Sequence, residues 1–198
     1  MPGACSTAVH IVLRWSGLPF DVRVLRRDEL KGPEYLAINP AGAVPTLVDD
    51  EFVLTQNAAI MGYVADRAPA SGLVGDGSPR QRAEAMRWLA FANSDLHPAF
   101  HPLFGPARFI EDASQHDALK AVARRRVRGL FERVEDQLDG RDWLAGFRSP
   151  ADAYVYVTLR WAGRTGVELD GLARVAAYRA RLDADADVRA ALAAEALD

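Results

Sequence analysis

Apolar positions follow two regimes along the chain, and the change comes near residue 75. Before it, helical spacing alternates with short extended runs. From Thr7 onward, Val9, Val12, Leu13 and Leu18 recur at near-helical intervals, which predicts a first helix entered from a loop that holds Pro2 and Gly3. Residues 21–25, 46–49 and 51–54 read as strands, the last two as a hairpin across an acidic turn. Residues 57–67 predict a second helix. Pro, Gly and Ser then reach linker density over 69–79. Beyond that point the period is helical over 79–96, 113–138, 150–163 and 173–182, with a short segment around Val188. The pattern therefore predicts an α/β unit over 1–68, a linker over 69–78 and an all-α unit over 79–198, without internal repeats.

Composition narrows the classes without choosing among them. A chain of 198 residues with 49% hydrophobic residues can bury a substantial core. Its net charge of -3 gives no footprint for nucleic acid, and the one basic run, Arg124, Arg125, Arg126 and Arg128, lies on a helical stretch with an apolar stripe, where it reads as a solvated face. No apolar run approaches the ~20 residues that cross a bilayer. One cysteine excludes an internal disulfide framework, and no charged segment followed by an apolar one opens the chain, so a reducing cytoplasm is the expected setting.

That single cysteine, Cys5, stands where the loop becomes the first helix. Unpaired backbone N–H groups and the positive end of the helix dipole favour a thiolate there, so a lowered pKa and a reactive sulfur are expected. The other reading is a small buried hydrophobe. Pro45 directly precedes an apolar strand, and a cis Val44–Pro45 bond would turn the Val44 backbone outward to pair with an extended peptide-like ligand; a trans proline at an edge is the alternative. In Leu54-Thr55-Gln56-Asn57-Ala58, Thr55 or Asn57 can cap the following helix, or the helix N-terminus with its amide can hold a carboxylate. Ser149-Pro150-Ala151-Asp152 has capping-box spacing with proline at the first helical position. Loss of either capping side chain is expected to cost about 1 kcal/mol.

Residues 2–6 (Pro-Gly-Ala-Cys-Ser), 35–45 (Tyr-Leu-Ala-Ile-Asn-Pro-Ala-Gly-Ala-Val-Pro) and 54–60 (Leu-Thr-Gln-Asn-Ala-Ala-Ile) together resemble the bacterial, beta-class cytosolic glutathione transferases. The resemblance continues through Trp88-Leu89-Ala90-Phe91 and Leu96-His97-Pro98 into residues 149–154. It implies a thioredoxin-like domain that binds glutathione and an all-α domain that completes a pocket for the electrophile. It also implies site roles. Cys5 matches the active-site cysteine, Val44 the residue that pairs with the cysteinyl unit beside a cis Pro45, and Gln56 with Asn57 the pair that holds the γ-glutamyl end. His97 matches a histidine near the thiol, and Lys31 a lysine that pairs with the glycyl carboxylate. A homodimer is implied as well, with a small electrophile or disulfide as second substrate and no role for nucleic acid, membrane or metal.

The chain departs from that pattern in places. Asn57 stands where a small residue is usual, Ala90 replaces a common Asn, and Pro98 replaces a common Lys, which would remove two polar contacts. The family's sheet also begins with a strand ahead of the Pro-Gly-Ala-Cys loop, and this sequence opens at Met1-Pro2, so either a start upstream or a repacked sheet is expected. The implied reaction is attack of glutathione thiolate on an electrophile, with thiol–disulfide exchange at Cys5 as a second chemistry. The alternative is a non-enzymatic binding or scaffold protein of the same fold. Trp161, Phe104, Phe100 and His101 are candidates for the wall of the electrophile pocket.

Overall fold

The computed structural model describes residues 1–197. Helix α1 (Ser6–Ser16) is the pivot of the molecule. Its Ala8, Val9, Ile11, Val12 and Trp15 are buried, and Gly17 ends it in the left-handed conformation (φ 71°) with its N–H on the Arg14 carbonyl. Glycine adopts that conformation without a Cβ penalty, so the helix stops where the sequence places Gly17. A short helix α2 (Pro33–Ile38) begins on Pro33 and buries Tyr35. Strands β1 (Thr46–Asp49) and β2 (Phe52–Thr55) follow, antiparallel, with Thr46 opposite Thr55 and Asp49 opposite Phe52. Helix α3 (Asn57–Arg67) closes this half and packs on α1.

The two-stranded hairpin is the only sheet among the described residues. Residues 21–25, expected as a strand, form no ladder. A cavity of about 330 Å³ separates them from residues 44–48, with Val9, His10 and Leu13 of α1 also in its wall. A strand is held by bonds to a neighbour, and no described segment enters this space to supply them. Only Leu25 of that run is buried, whereas Val22 and Val24 remain exposed.

The second half is helical. Helix α4 (Pro79–Phe91) starts on Ser78, whose hydroxyl accepts from the Gln81 N–H. The single helix expected over 79–96 is interrupted: residues Ala92–Leu96 form a wider turn, followed by two short helices, α5 (His97–Ala99) and α6 (His101–Phe104). Pro98 and Pro102 each remove a backbone donor, which breaks regular propagation. Helix α7 (His116–Gln137) begins three residues later than its periodicity predicts, because Asp112 caps a separate turn over Ala113–Gln115. Helices α8 (Pro150–Thr165), α9 (Ala173–Ala184) and α10 (Ala186–Ala194) complete the chain.

Helix α8 is buried nearly all round from Pro150 to Leu159, the profile of a central core helix. It opens on the capping box: Asp152 accepts from the Ser149 N–H at 2.8 Å and Ser149 hydroxyl at 2.9 Å, and its other oxygen accepts from the Leu144 N–H and the Tyr178 hydroxyl. Helices α1 and α8 pack directly together, and α10 packs on α1 as well. None of the described helices is long and apolar enough to cross a membrane.

Candidate active site

The N-terminus of α1, the residues before β1 and the start of α3 meet at one cleft, and α5, α6 and α8 form its opposite wall. Cys5 lies at the helix entry, where its thiol donates to the Val44 carbonyl at 3.6 Å. The Val44–Pro45 bond is cis, as expected. The Val44 N–H has no partner among the described residues. The turn that carries it is fixed from below: Asn39 donates to the Ala43 carbonyl at 2.7 Å and to the Thr46 hydroxyl at 3.0 Å, and the Tyr35 hydroxyl also donates to Ala43 at 2.6 Å. A free donor on an immobilised turn is a preformed pairing edge for an extended ligand.

Two expectations about α3 are corrected. Neither Thr55 nor Asn57 caps it; the cap position is Gln56, which makes no side-chain cap bond and stands at φ 73°, ψ 120°. That conformation is strained for a residue with a Cβ, and strain of this kind gathers at ligand sites. Asn57 reaches back instead, donating to the Cys5 carbonyl at 2.9 Å, while its buried Oδ1 has no partner. Asn57 thus ties the start of α3 to the cysteine loop.

Cys5, Val44, Pro45, Gln56, Asn57 and His97 all line one cavity of about 290 Å³. Lys31 does not. It donates to the Ala41 carbonyl at 3.3 Å on the outer side of the same turn. Pro98 lines the cavity, and so does Asn93, which the sequence reading passed over. Its signal was a polar residue one helical turn past Ala90, but its direction depends on the wide turn at Ala92–Leu96, which periodicity does not reveal.

The electrostatics of Cys5 run against the lowered pKa expected from its position. Burial pushes the thiol up to about 11, and the Cys5 and Ser6 backbone N–H groups pull it down by less. Removing an anion from water outweighs two dipoles here, so Cys5 is a thiol at neutral pH. His97 is displaced downward to about 4, first by burial and then by the neighbouring His101. It is therefore a neutral imidazole, and its Nδ1 lies 2.6 Å from the Tyr154 hydroxyl. Burial raises that phenol well above its ordinary range, so Tyr154 keeps its proton.

A stability consequence follows from His97. Its folded pKa is below the unfolded value of ~6.5, so both states are neutral above that pH, and only the unfolded state takes up a proton as pH falls toward 4. The fold is expected to lose up to roughly 3 kcal/mol over that window through this group alone. Urea midpoints at pH 7 and pH 4.5 should differ less in His97→Gln than in the parent; equal differences would reject the burial assignment.

The loop that carries Cys5 is held from a distance. The Trp161 indole N–H donates to the Gly3 carbonyl at 2.8 Å, and Glu195 accepts from the Gly3 N–H at 3.3 Å and the Thr7 hydroxyl at 2.7 Å. The other Glu195 oxygen lies 3.2 Å from His10 Nδ1. These partners are separated by more than 150 positions in the chain, and no local pattern connects them.

Next to the first cavity, and sharing Cys5, Val44 and His97 with it, lies a larger one of about 720 Å³ walled by Trp161, Phe104 and His101. Three of the four residues expected in this wall are present. Phe100 is fully buried behind them, 5.5 Å from the Trp161 ring.

A cis-proline turn that offers its backbone, a cysteine at a helix N-terminus and a helical half that roofs both define a thiol-binding protein with a thioredoxin-like first domain. The profile of the glutathione S-transferase N-terminal domain matches residues 3–67. The chain is 54% identical to glutathione S-transferase GST-4.5 of Xanthomonas campestris pv. campestris, over all of this chain and 97% of that protein. It superposes on a glutathione S-transferase from Xylella fastidiosa with a TM-score of 0.97 at 51% identity, covering 100% of this chain and 97% of that one. A sphingomonad glutathione S-transferase solved in complex with glutathione matches at 37% identity and a TM-score of 0.87, again over 100% and 97% of the two chains. The chain belongs to the glutathione S-transferase family.

Proposed function

We propose that the protein conjugates glutathione to a small electrophile, with glutathione extended along Val44 and its sulfur against Cys5. The observation that carries this reading is the convergence of a free Val44 N–H and the Cys5 thiol on one cavity. Its lining includes Gln56 and Asn57, and the α3 N-terminus beside them suits the γ-glutamyl carboxylate. Lys31, on the outer side of the turn, serves the glycyl carboxylate.

The nucleophile in this scheme is the sulfur of glutathione. Cys5 holds its proton at neutral pH, so it acts as a donor: its S–H swings from the Val44 carbonyl to the bound thiolate and stabilises it. The thiolate then attacks the electrophilic carbon, and neutral His97 and Tyr154 add no charge beside it. Disulfide exchange at Cys5 itself needs the thiolate that burial disfavours, and no second cysteine is present to resolve a mixed disulfide.

Calorimetric titration with glutathione, followed by turnover of 1-chloro-2,4-dinitrobenzene, tests the reading directly. Micromolar to millimolar binding with conjugation supports it, and a folded protein that binds no glutathione would return the chain to the scaffold alternative. Cys5→Ala is expected to lower kcat/KM about tenfold, the scale of one hydrogen bond to a charged group, without abolishing conjugation. Iodoacetamide should alkylate Cys5 at pH 8 at least tenfold more slowly than free cysteine; an equal rate would show an activated thiolate.

A homodimer in the cytoplasm completes the proposal. Phe52 and Val53 on the hairpin and Met86 on α4 are exposed apolar side chains of the kind an interface covers. Sedimentation of a 21.6 kDa species would exclude the dimer.

A further inference from the structure

We propose that the electrophile taken by this transferase site is a small aromatic anion, its ring on Trp161 and Phe104 and its acid group on Arg108 and Arg164. The inference rests on the conjugation reading above and concerns the second substrate.

The larger cavity contains no carboxylate among its lining residues, yet three guanidinium groups, Arg27, Arg108 and Arg164, border it. None of the three makes an ion pair or a side-chain hydrogen bond among the described residues. Elsewhere Arg26, Arg67, Arg82, Arg174 and Arg181 each have a carboxylate partner, while other surface arginines such as Arg80 and Arg125 have none among the described residues, so what marks the cleft is three such cations facing one cavity together. The molecule as a whole is acidic, at -3, yet no acid stands among the residues that line this cavity. A concave site lined by one sign of charge concentrates ligands of the opposite sign.

The positions of these cations assign them to different ligands. Arg27 borders the same turn as Lys31, on the glutathione side. Arg164 lies one helical turn after Trp161 on α8, on the same face, and its guanidinium lies over the cysteine loop, 3.0 Å from where a Cβ on Gly3 would stand. Arg108 follows the turn after α6. Past Arg164 an adjoining cavity is lined by Lys120, which pairs with Asp117, and by Arg124, which donates to the Thr165 carbonyl. Between these cations and Cys5 the rings of Trp161 and Phe104 meet edge to face at 5.2 Å and 85°, and His97 meets Trp161 at 4.8 Å. That corner accepts a flat ring, and a planar guanidinium beside it accepts a carboxylate in two-point fashion.

With a haloaromatic acid the step balances as a substitution. The glutathione thiolate forms a C–S bond at the ring carbon, the carbon–halogen electron pair leaves with the halide, and the thiol proton passes to solvent.

The test compares 4-chloro-3-nitrobenzoate with its methyl ester at saturating glutathione, each kcat/KM divided by the uncatalysed rate constant. The acid is expected to show the larger ratio, and the acid-to-ester preference should fall about tenfold in Arg108→Ala/Arg164→Ala, the scale of a charge-assisted contact. It should also fall in the parent protein as salt rises to ~0.3 M, a readout that needs no variant to fold. An acid preference untouched by both salt and substitution, or turnover of the ester alone, would overturn the proposal and leave the transferase reading intact. Failure of both probes by a protein that conjugates 1-chloro-2,4-dinitrobenzene would overturn this proposal alone, and failure of all three would overturn the transferase reading with it.

Discussion

Asp152→Ala is expected to destabilise the protein by roughly 3–5 kcal/mol, enough to remove a large part of the ~5–15 kcal/mol that holds a typical domain together. The carboxyl group is fully buried. It accepts from two backbone N–H groups, those of Leu144 and Ser149, and from the hydroxyls of Ser149 and Tyr178. Truncation leaves the Leu144 and Ser149 N–H groups and the Ser149 hydroxyl without this acceptor and leaves Tyr178 only its longer bond to the Asp152 carbonyl at 3.3 Å; each orphaned buried group costs about 1–3 kcal/mol before relaxation. The capping motif alone predicts about 1 kcal/mol, and that figure still stands for Ser149→Ala. The excess at Asp152 comes from Leu144 and Tyr178, which tie the start of α8 to the preceding loop and to α9. Urea denaturation should show the midpoint falling several times further for Asp152→Ala than for Ser149→Ala, at similar slopes. Equal shifts would mean that the network outside the helix cap contributes nothing.

Glu195→Ala should produce the second large effect, and it should appear in catalysis as well as in stability. Glu195 sits in the turn after α10 and never touches the cavity that holds Cys5 and Gln56. Its oxygens nevertheless take the Gly3 N–H, the Thr7 hydroxyl and the His10 ring nitrogen. Without them the loop ahead of α1 keeps the Trp161 and Asn57 contacts and the long thiol bond to Val44, and the sulfur of Cys5 is held less firmly at its distance from Val44. A cost of about 2–4 kcal/mol in stability is expected from the unpaired buried groups. Turnover should fall about a hundredfold, because displacement of a reacting group by an ångström has effects of that size. Glu195→Gln retains acceptor capacity and should recover much of the loss. A positioning role predicts that kcat falls more than the glutathione KM rises; if kcat is unchanged once the variant is folded, Glu195 is structural only.

The sequence carried the architecture well where local chemistry decides it. The Pro79 helix start, the acidic hairpin turn and the Ser149–Asp152 box are each read from a few adjacent residues, and each lies where such residues act, whereas the short helix Pro33–Ile38 carries too few periodic positions to stand out in the pattern. The run at 21–25 failed for a reason outside itself: alternating Val22 and Val24 have strand propensity, but a strand exists only with a partner, and propensity holds no information about the neighbour. The helix expected over 79–96 failed at Ala92–Leu96 because Pro98 acts on the turn before it. At the cleft, Cys5, Val44, Pro45, Gln56, Asn57 and His97 gather as the motifs imply, yet the charge state of Cys5 was misjudged. Position at a helix N-terminus is legible in sequence, whereas depth of burial is a property of the assembled fold. Arg108, Arg164 and Glu195 were invisible for a similar reason, since their meaning lies in what stands opposite them.

The divided attachment of Asn57 bears on how binding energy would be used. Its amide already holds the Cys5 carbonyl, and its buried Oδ1 has no partner. A ligand amine that completes Oδ1 would immobilise the same side chain that braces the cysteine loop. Contact at the non-reacting end of the tripeptide would then restrict motion at the sulfur, so affinity contributed far from the chemistry is converted into order where bonds change. A shortened thiol such as cysteine could occupy Val44 and still forgo that gain.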